Sequence, residues 1–244
     1  GEIFEFFLNL FVRCDEMGEV TDHYTPREII SLMTKITFAD LHLEKVDDSS
    51  AINSVYDGCA GTGGLLTFAY KELNENKSNK KIDVFGQELN FYSYSICKAN
   101  LLMNGIDIKN IKSGDSLISN QIIKEDFNYL ISVPPFGKNW INQKEIINNS
   151  SLAKFSPALP RNSDSSFLFL LDQIKRMNPL SKGGSRSSVL LFKSALTFGT
   201  INSGENKIRE YLLKEDLVES IIALPENLFY TSSIPTFIWN LTNN

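Results

Sequence analysis

The run Ser54-Val55-Tyr56-Asp57-Gly58-Cys59-Ala60-Gly61-Thr62-Gly63-Gly64-Leu65-Leu66 decides the fold. Its first part ends a short apolar stretch over 51–57 that reads as a buried strand, and its last part opens a helix over 64–74. Between them, glycines at 58, 61, 63 and 64 let the backbone turn sharply and approach a ligand closely, because no Cβ intervenes. The spacing is Gly-x-Gly-Gly rather than the dinucleotide Gly-x-Gly-x-x-Gly, which argues against a nicotinamide dehydrogenase. Taken alone, the run could equally be a tight turn with no ligand.

Outward from this turn, strands and helices alternate. Strands are expected at 81–85, 108–113 (weak), 128–133, 188–192, 217–224 and 236–241, those at 188–192 and 217–224 as buried strands. Helices are expected at 91–104 and 167–177, the latter with Lys175 and Arg176 in its last turn, where the helix dipole favours cations. Upstream, Thr25-Pro26-Arg27-Glu28 has the form of a capping box, with Thr25 as N-cap and Pro26 at the first helical position. It opens a helix that turns Ile29, Ile30, Leu32, Met33 and Ile36 toward a core. The alternation predicts an α/β chain with a doubly wound, mostly parallel sheet. Polar stretches at 75–80, 138–163, 181–187 and 200–205 read as loops. The second is long, rich in Asn and Ser, and directly follows a strand end, where long loops tend to be functional or disordered.

In such sheets ligands bind outside the carboxyl ends of the strands, so the residues after each strand are the candidates. After the second strand stands Glu88, able to accept both hydroxyls of a ribose. After the third stand Asp115 and Ser116, where the acid could meet an exocyclic amine. Either acid alone could be a solvated surface group. A glycine turn with acids at two successive strand ends nevertheless describes a pocket for an adenosine-bearing ligand. After the fourth strand comes Val133-Pro134-Pro135-Phe136-Gly137. Two prolines there fix the backbone and donate nothing to the ladder, and Phe136 offers a flat face. The alternative is a rigid turn with a core phenylalanine.

Composition narrows the classes. The chain has 244 residues, enough for one large domain or two small ones at roughly 150 residues each. It is 42% hydrophobic and 22% charged, as a globular protein should be. A formal charge of −5 provides no global basic field for nucleic acid, so DNA binding would need a local patch or a partner. Three cysteines without CxxC, and two histidines, argue against a disulfide scaffold or a metal site and fit a reducing compartment. Without a long apolar run or a leader the expectation is a soluble, cytoplasmic protein with no membrane contact.

These residues together resemble the N6-adenine DNA methyltransferase family, and within it the modification (M) subunit of type I restriction–modification systems. The segments that carry the resemblance are Tyr24-Thr25-Pro26-Arg27-Glu28, Asp57 to Gly64, Gly86-Gln87-Glu88, Gly114-Asp115 and Pro134-Pro135-Phe136-Gly137. It continues through Asp164-Ser165-Ser166-Phe167-Leu168, Arg209-Glu210-Tyr211-Leu212 and Ala223-Leu224-Pro225-Glu226-Asn227-Leu228-Phe229-Tyr230. The resemblance implies a Rossmann-like methyltransferase sheet with an antiparallel strand near its C-terminal end, and S-adenosylmethionine as cofactor. Tyr24, Thr25, Pro26 and Arg27, with Gly61, Thr62, Gly63 and Gly64, would hold its methionine part, with Asp57 at the base of the loop. Glu88 would bind the ribose and Asp115, with Ser116, the adenine. Val133, Pro134, Pro135 and Phe136 would form the catalytic turn, Phe136 stacking on an adenine flipped out of double-stranded DNA. The implied partners are a specificity (S) subunit, a second M subunit and a restriction (R) subunit. Residues 1–20 would end an upstream helical segment and 21–244 would be the catalytic domain, a fragment lacking an N-terminal helical domain and a C-terminal tail.

One departure stands out. The family motif begins with Asn or Asp, and here that residue is Val133, while an acid usual five residues earlier is Asn128. Valine offers no acceptor for the N6 amino group, so the resemblance implies cofactor binding with feeble or absent methyl transfer, or a scaffold that supports DNA binding by a specificity subunit.

Overall fold

The computed structural model describes residues 25–39, 52–75, 81–229 and 234–243. Tyr24, both histidines, Cys14 and the segment 1–20 lie outside the described residues. The elements, in chain order, are α1 (Arg27–Thr37), β1 (Ile52–Asp57), α2 (Gly64–Glu75), β2 (Lys81–Glu88), α3 (Phe91–Met103), β3 (Ile111–Ser113) and β4 (Tyr129–Ser132). They continue as α4 (Lys144–Asn148), α5 (Ser151–Phe155), α6 (Ser166–Lys175), β5 (Arg186–Phe192), α7 (Ser194–Thr197), α8 (Gly204–Lys214), β6 (Val218–Ala223) and β7 (Thr236–Thr242).

The strands form one seven-stranded sheet in the order β3-β2-β1-β4-β5-β7-β6. From β3 to β5 all neighbours are parallel, and β7 runs antiparallel to both β5 and β6. The chain winds outward from β1 through β2 to β3, then restarts on the other side of β1 with β4. The carboxyl ends of β1 and β4 therefore flank the point where strand order reverses, and a crevice opens there.

Side chains alternate across each strand, and the two cores follow this alternation. Tyr56, Leu130, Val189, Leu191 and Trp239 belong to one buried cluster. Val55, Ile131, Leu190 and Ile238 belong to the other, with α1, α2 and α3 packed over it. On the first face a buried polar group ties α6 to β1. The Tyr56 hydroxyl donates to Asp172 Oδ2 at 2.9 Å, Arg176 Nε donates to the same carboxylate at 3.0 Å, and the guanidinium lies 5.0 Å over the Tyr56 ring. Burial, then the adjacent Asp172 charge, pushes the Tyr56 phenol up. On the second face Thr37 Oγ1 donates to Ser188 Oγ at 2.8 Å, Ser188 Oγ to Asn240 Oδ1 at 2.6 Å, and Asn240 Nδ2 to Ser220 Oγ at 2.9 Å. This ladder fixes the end of α1 to β5, β7 and β6 and explains serines in strands that would otherwise favour β-branched residues.

The structure corrects three expectations. The capping box is not formed: α1 starts at Arg27, Pro26 holds the N-cap with φ −55° and ψ 142°, and no side chain caps the helix. The N–H groups of Ile29 and Ile30 instead donate to the Pro26 carbonyl. Thr25 is buried, and Glu28 is exposed. The stretch 138–163 is not an open loop but holds a 3₁₀ turn (Ile141–Gln143), α4 and α5, pinned by the buried Trp140, Ile147 and Leu152. The strand expected as buried at 217–224 is an edge strand whose residues alternate half-buried and exposed, with no strand paired beyond it among the described residues.

The ion pair under β1 gives a stability test. Asp172→Ala leaves Arg176 buried without its counter-charge and should cost about 3–5 kcal/mol in urea unfolding, whereas Tyr56→Phe, which leaves the pair intact, should cost about 1 kcal/mol. Equal losses would contradict this division.

Candidate functional site

The glycine turn after β1 is closed by a hydrogen bond of its own and tied to its neighbours by others. Ala60 N–H donates to the Gln87 carbonyl at 3.0 Å, and Gly63 N–H donates to Ala60 O at 2.8 Å. Asn100 Nδ2 donates to Thr62 O at 3.1 Å, and Ser116 Oγ to Gly58 O at 2.6 Å. Two glycines are needed for shape. Gly61 has φ +54° with nothing within 4 Å of where a Cβ would stand, and Gly63 has φ +80° with a Cβ position 2.8 Å from Cys97 Sγ. Both conformations are costly for other residues.

Glu88, the last residue of β2, grips this turn. Its Oε2 accepts from Gly61 N–H and its Oε1 from Asn90 N–H, both at 2.8 Å. Asn90 in turn caps α3 by accepting from Tyr92 and Ser93 N–H. Each carboxylate oxygen keeps capacity for another donor. After β3, Asp115 Oδ1 accepts from Leu117 N–H at 2.9 Å.

Asp57, at the end of β1, is the electrostatic centre. Ser132 Oγ at the end of β4 donates to its Oδ1 at 2.6 Å, and Cys59 N–H donates to the same oxygen at 3.0 Å. Oδ2 is shut from solvent and has no hydrogen-bond partner among the described residues. Burial is the main reason its carboxyl is raised to about 6; the hydrogen bonds from Ser132 and Cys59 oppose the rise, and the Glu88 charge adds to it. The Cys59 and Cys97 thiols are likewise raised, mainly by burial, and so are poor nucleophiles.

A cavity of about 650 Å³ lies over the switch point, within the size range of small-molecule sites. Its wall brings together Thr25, Arg27, Asp57, Gly61, Thr62, Gly64, Glu88, Asp115, Ser116, Val133 and Pro135, which lie far apart in the chain. Pro26, Gly63, Pro134 and Phe136 are not on that wall. The Phe136 ring instead stacks on Phe192, with centroids 3.9 Å apart and planes at 17°, and meets Phe229 edge-on at 5.9 Å. Asn128 turns away to the base of β1, where its Oδ1 accepts from Ser54 N–H and Oγ at 3.0 and 2.9 Å.

Sequence reasoning missed several wall residues. Leu89, Phe91 and Tyr92 form an apolar rim, though Asn90 could have been found as an N-cap. Trp140 and Gln143 come from the stretch after β4 and carry no motif, and Ser165 lies in the Asp164–Leu168 segment of the resemblance, to which no site role was attached. Among the described residues no group of three His, Cys, Asp or Glu could hold a metal ion, and no helix is long and apolar enough to cross a membrane.

Comparison with known proteins agrees with this geometry. The N-6 DNA Methylase family matches residues 1–244. The type I restriction enzyme MpnII methylase subunit of Mycoplasma pneumoniae is 28% identical, covering 100% of this chain and 44% of the relative. The HindI methylase subunit of Haemophilus influenzae is also 28% identical, covering 100% of this chain and 51% of the relative. The crystal structure of a type I restriction-modification system methyltransferase subunit from Streptococcus thermophilus superposes with TM-score 0.75 at 25% identity, over 90% of this chain and 44% of that one. The chain thus spans about half the length of the curated relatives it matches. On the match of the family over the whole sequence, the chain belongs to the N-6 DNA methylases.

Proposed function

We propose that this chain is the S-adenosylmethionine-binding domain of a DNA adenine-N6 methyltransferase subunit, impaired in the transfer step by Val133. The observation that carries the reading is the unpaired, buried Asp57 Oδ2 on a cavity wall shared with the glycine turn, Glu88 and the Pro-Pro turn. A buried carboxylate oxygen without a partner calls for a cation or a donor, and the ammonium of the cofactor's methionine part supplies both. The open space over Gly61 lets a ligand approach the backbone. Residues and cofactor therefore fit. When bound, the cofactor supplies a methyl group on a positively charged sulfur.

The chain's own residues divide the work. Glu88 holds the turn through Gly61 N–H and has lone pairs left for ribose hydroxyls. Asp115 offers an acceptor for the adenine amino group. Thr25 and Arg27, carried on the start of α1, close the wall opposite. Tyr24, Pro26, Gly63 and Ser116 support these groups in our reading, and Pro134, Pro135 and Phe136 shape the slot for a target adenine. The lone pair of a target N6 is delocalised into its ring, and two acceptors on its hydrogens would localise it. The carbonyl of Pro134 is one; Val133 provides no second. Losing one preorganised group of this kind costs about 100- to 1000-fold in rate.

Val133 also favours a second reading, an inert cofactor-binding scaffold for a specificity subunit. In both readings the partners are a specificity subunit, a second M subunit and a restriction subunit on double-stranded DNA. Residues 21–244 would be the catalytic domain, and the acidic chain would leave sequence recognition to the specificity subunit.

Two measurements test the proposal. Glu88→Ala should weaken S-adenosylmethionine binding in calorimetry roughly 10- to 100-fold through loss of charged hydrogen bonds. Unchanged affinity would remove Glu88 from the site. In the assembled complex, Val133→Asn should raise methyl transfer to adenine about 100-fold or more. A parent chain already turning over at that level would refute the impairment, and a variant that binds cofactor yet stays inert would favour the scaffold.

A further inference from the structure

Gln143 and Ser165 have polar atoms that nothing among the described residues satisfies. Among the described residues seven buried side-chain nitrogen or oxygen atoms lack a hydrogen-bond partner. Three of them, Asp57 Oδ2, Gln143 Oε1 and Ser165 Oγ, belong to residues on the wall of one cavity. Ser165 is 3% exposed and holds the N-cap position of α6, yet its hydroxyl does not cap the helix. A buried polar atom left unpaired typically costs about 1–3 kcal/mol, so three around one cavity point to a ligand that satisfies them.

The backbone around both residues is firmly held. Trp140 N–H donates to Asn162 O at 2.9 Å, its Nε1 to Arg161 O at 2.8 Å, and Ser165 N–H to Lys138 O at 3.0 Å. Gln143 N–H donates to Trp140 O at 3.0 Å. Trp140 and Ile147, which flank Gln143 on the wall, lie in the same buried cluster that Leu117 packs against, two residues from Asp115. Val133 and Phe136 pack against the cluster on the other face of the sheet. Gln143 is thus flanked by wall residues of the cluster that Leu117 joins, and Gln143 and Ser165 share the cavity wall with Asp115.

We propose that Gln143 and Ser165 read the purine edge of an adenosine moiety, an inference that rests on the cofactor reading above. An adenine amino group has two hydrogens. Asp115 takes one, Gln143 Oε1 accepts the other, and the Ser165 hydroxyl donates to a ring nitrogen. The pair makes the site selective for adenine over hypoxanthine, whose 6-oxygen has no hydrogen to give and faces Gln143 Oε1 as a second acceptor.

The test is calorimetric binding of S-adenosylhomocysteine and S-inosylhomocysteine to the full chain and to Gln143→Leu and Ser165→Ala. The parent chain should prefer the adenosyl ligand. Gln143→Leu should weaken that ligand about tenfold while leaving the inosyl ligand nearly unchanged, so that discrimination falls about tenfold to the share that Asp115 maintains. Ser165→Ala should weaken the adenosyl ligand about 5- to 10-fold. Because neither atom has a partner among the described residues, thermal melting of both ligand-free variants should match or exceed the parent. A parent chain that binds neither ligand would refute the cofactor reading itself. A parent that binds, with variants of unchanged affinity and discrimination, would overturn this inference alone. A lower melting temperature for ligand-free Ser165→Ala would also overturn it, by showing a structural role for the hydroxyl.

Discussion

A carboxylate held in a place where it is hard to ionise organises this molecule. Asp57 ends the central strand, Ser132 from the neighbouring strand holds one of its oxygens, and the other has no hydrogen-bond partner among the described residues. An acid raised from 3.8 to about 6 makes the free folded chain lose stability as pH climbs through that window, by roughly 3 kcal/mol in all. The fold accepts this at the one point where β1 and β4 diverge. The glycine turn, Glu88 and Asp115 are arranged around the same cavity, so a cation delivered there would offset that loss.

In our reading binding and chemistry draw largely on different strand ends. Most of the proposed cofactor-facing groups follow β1, β2 and β3, with Gln143 and Ser165 joining from beyond β4, and the hydrogen bonds of the first set interlock: Glu88 holds Gly61, Asn100 holds Thr62 and Ser116 holds Gly58. The turn after β4 is supported independently, with Phe136 packed on Phe192 and Phe229. In our reading Val133 therefore removes an acceptor for the transfer step and leaves the adenosine side untouched. The parallel stack of Phe136 on Phe192 covers one face of the ring, so in our reading a target base has only the other face to meet.

Most strands were readable from the chain because each is a short apolar run closed by a turn signal, and the parallel order followed from helices lying between them. The glycine run and the acids after β2 and β3 were readable for the same reason, since the fold makes strand ends converge. What escaped was structure without periodicity. The 3₁₀ turn and the short helices α4 and α5 lie in Asn- and Ser-rich sequence and are held by single anchors, Trp140, Ile147 and Leu152, that no repeat announces. Helix α8 begins in a polar stretch, though Ser203 is its N-cap, accepting from Asn206 N–H. Thr25-Pro26 misled because a proline already in extended ψ can hold the N-cap position itself. The edge position of β6 depends on β7 inserting beside β5, a pairing between distant segments that local sequence does not encode.

The direct test of the Asp57 account is proton linkage. Calorimetric titration of S-adenosylmethionine at pH 6, in two buffers of different ionisation enthalpy, reports protons exchanged on binding. A cofactor ammonium beside Asp57 favours its ionised form, so the account predicts release of roughly half a proton per cofactor bound, since a carboxyl of pKa about 6 is half protonated there. Asp57→Asn should abolish that release. Binding with the same heat in both buffers would contradict the account.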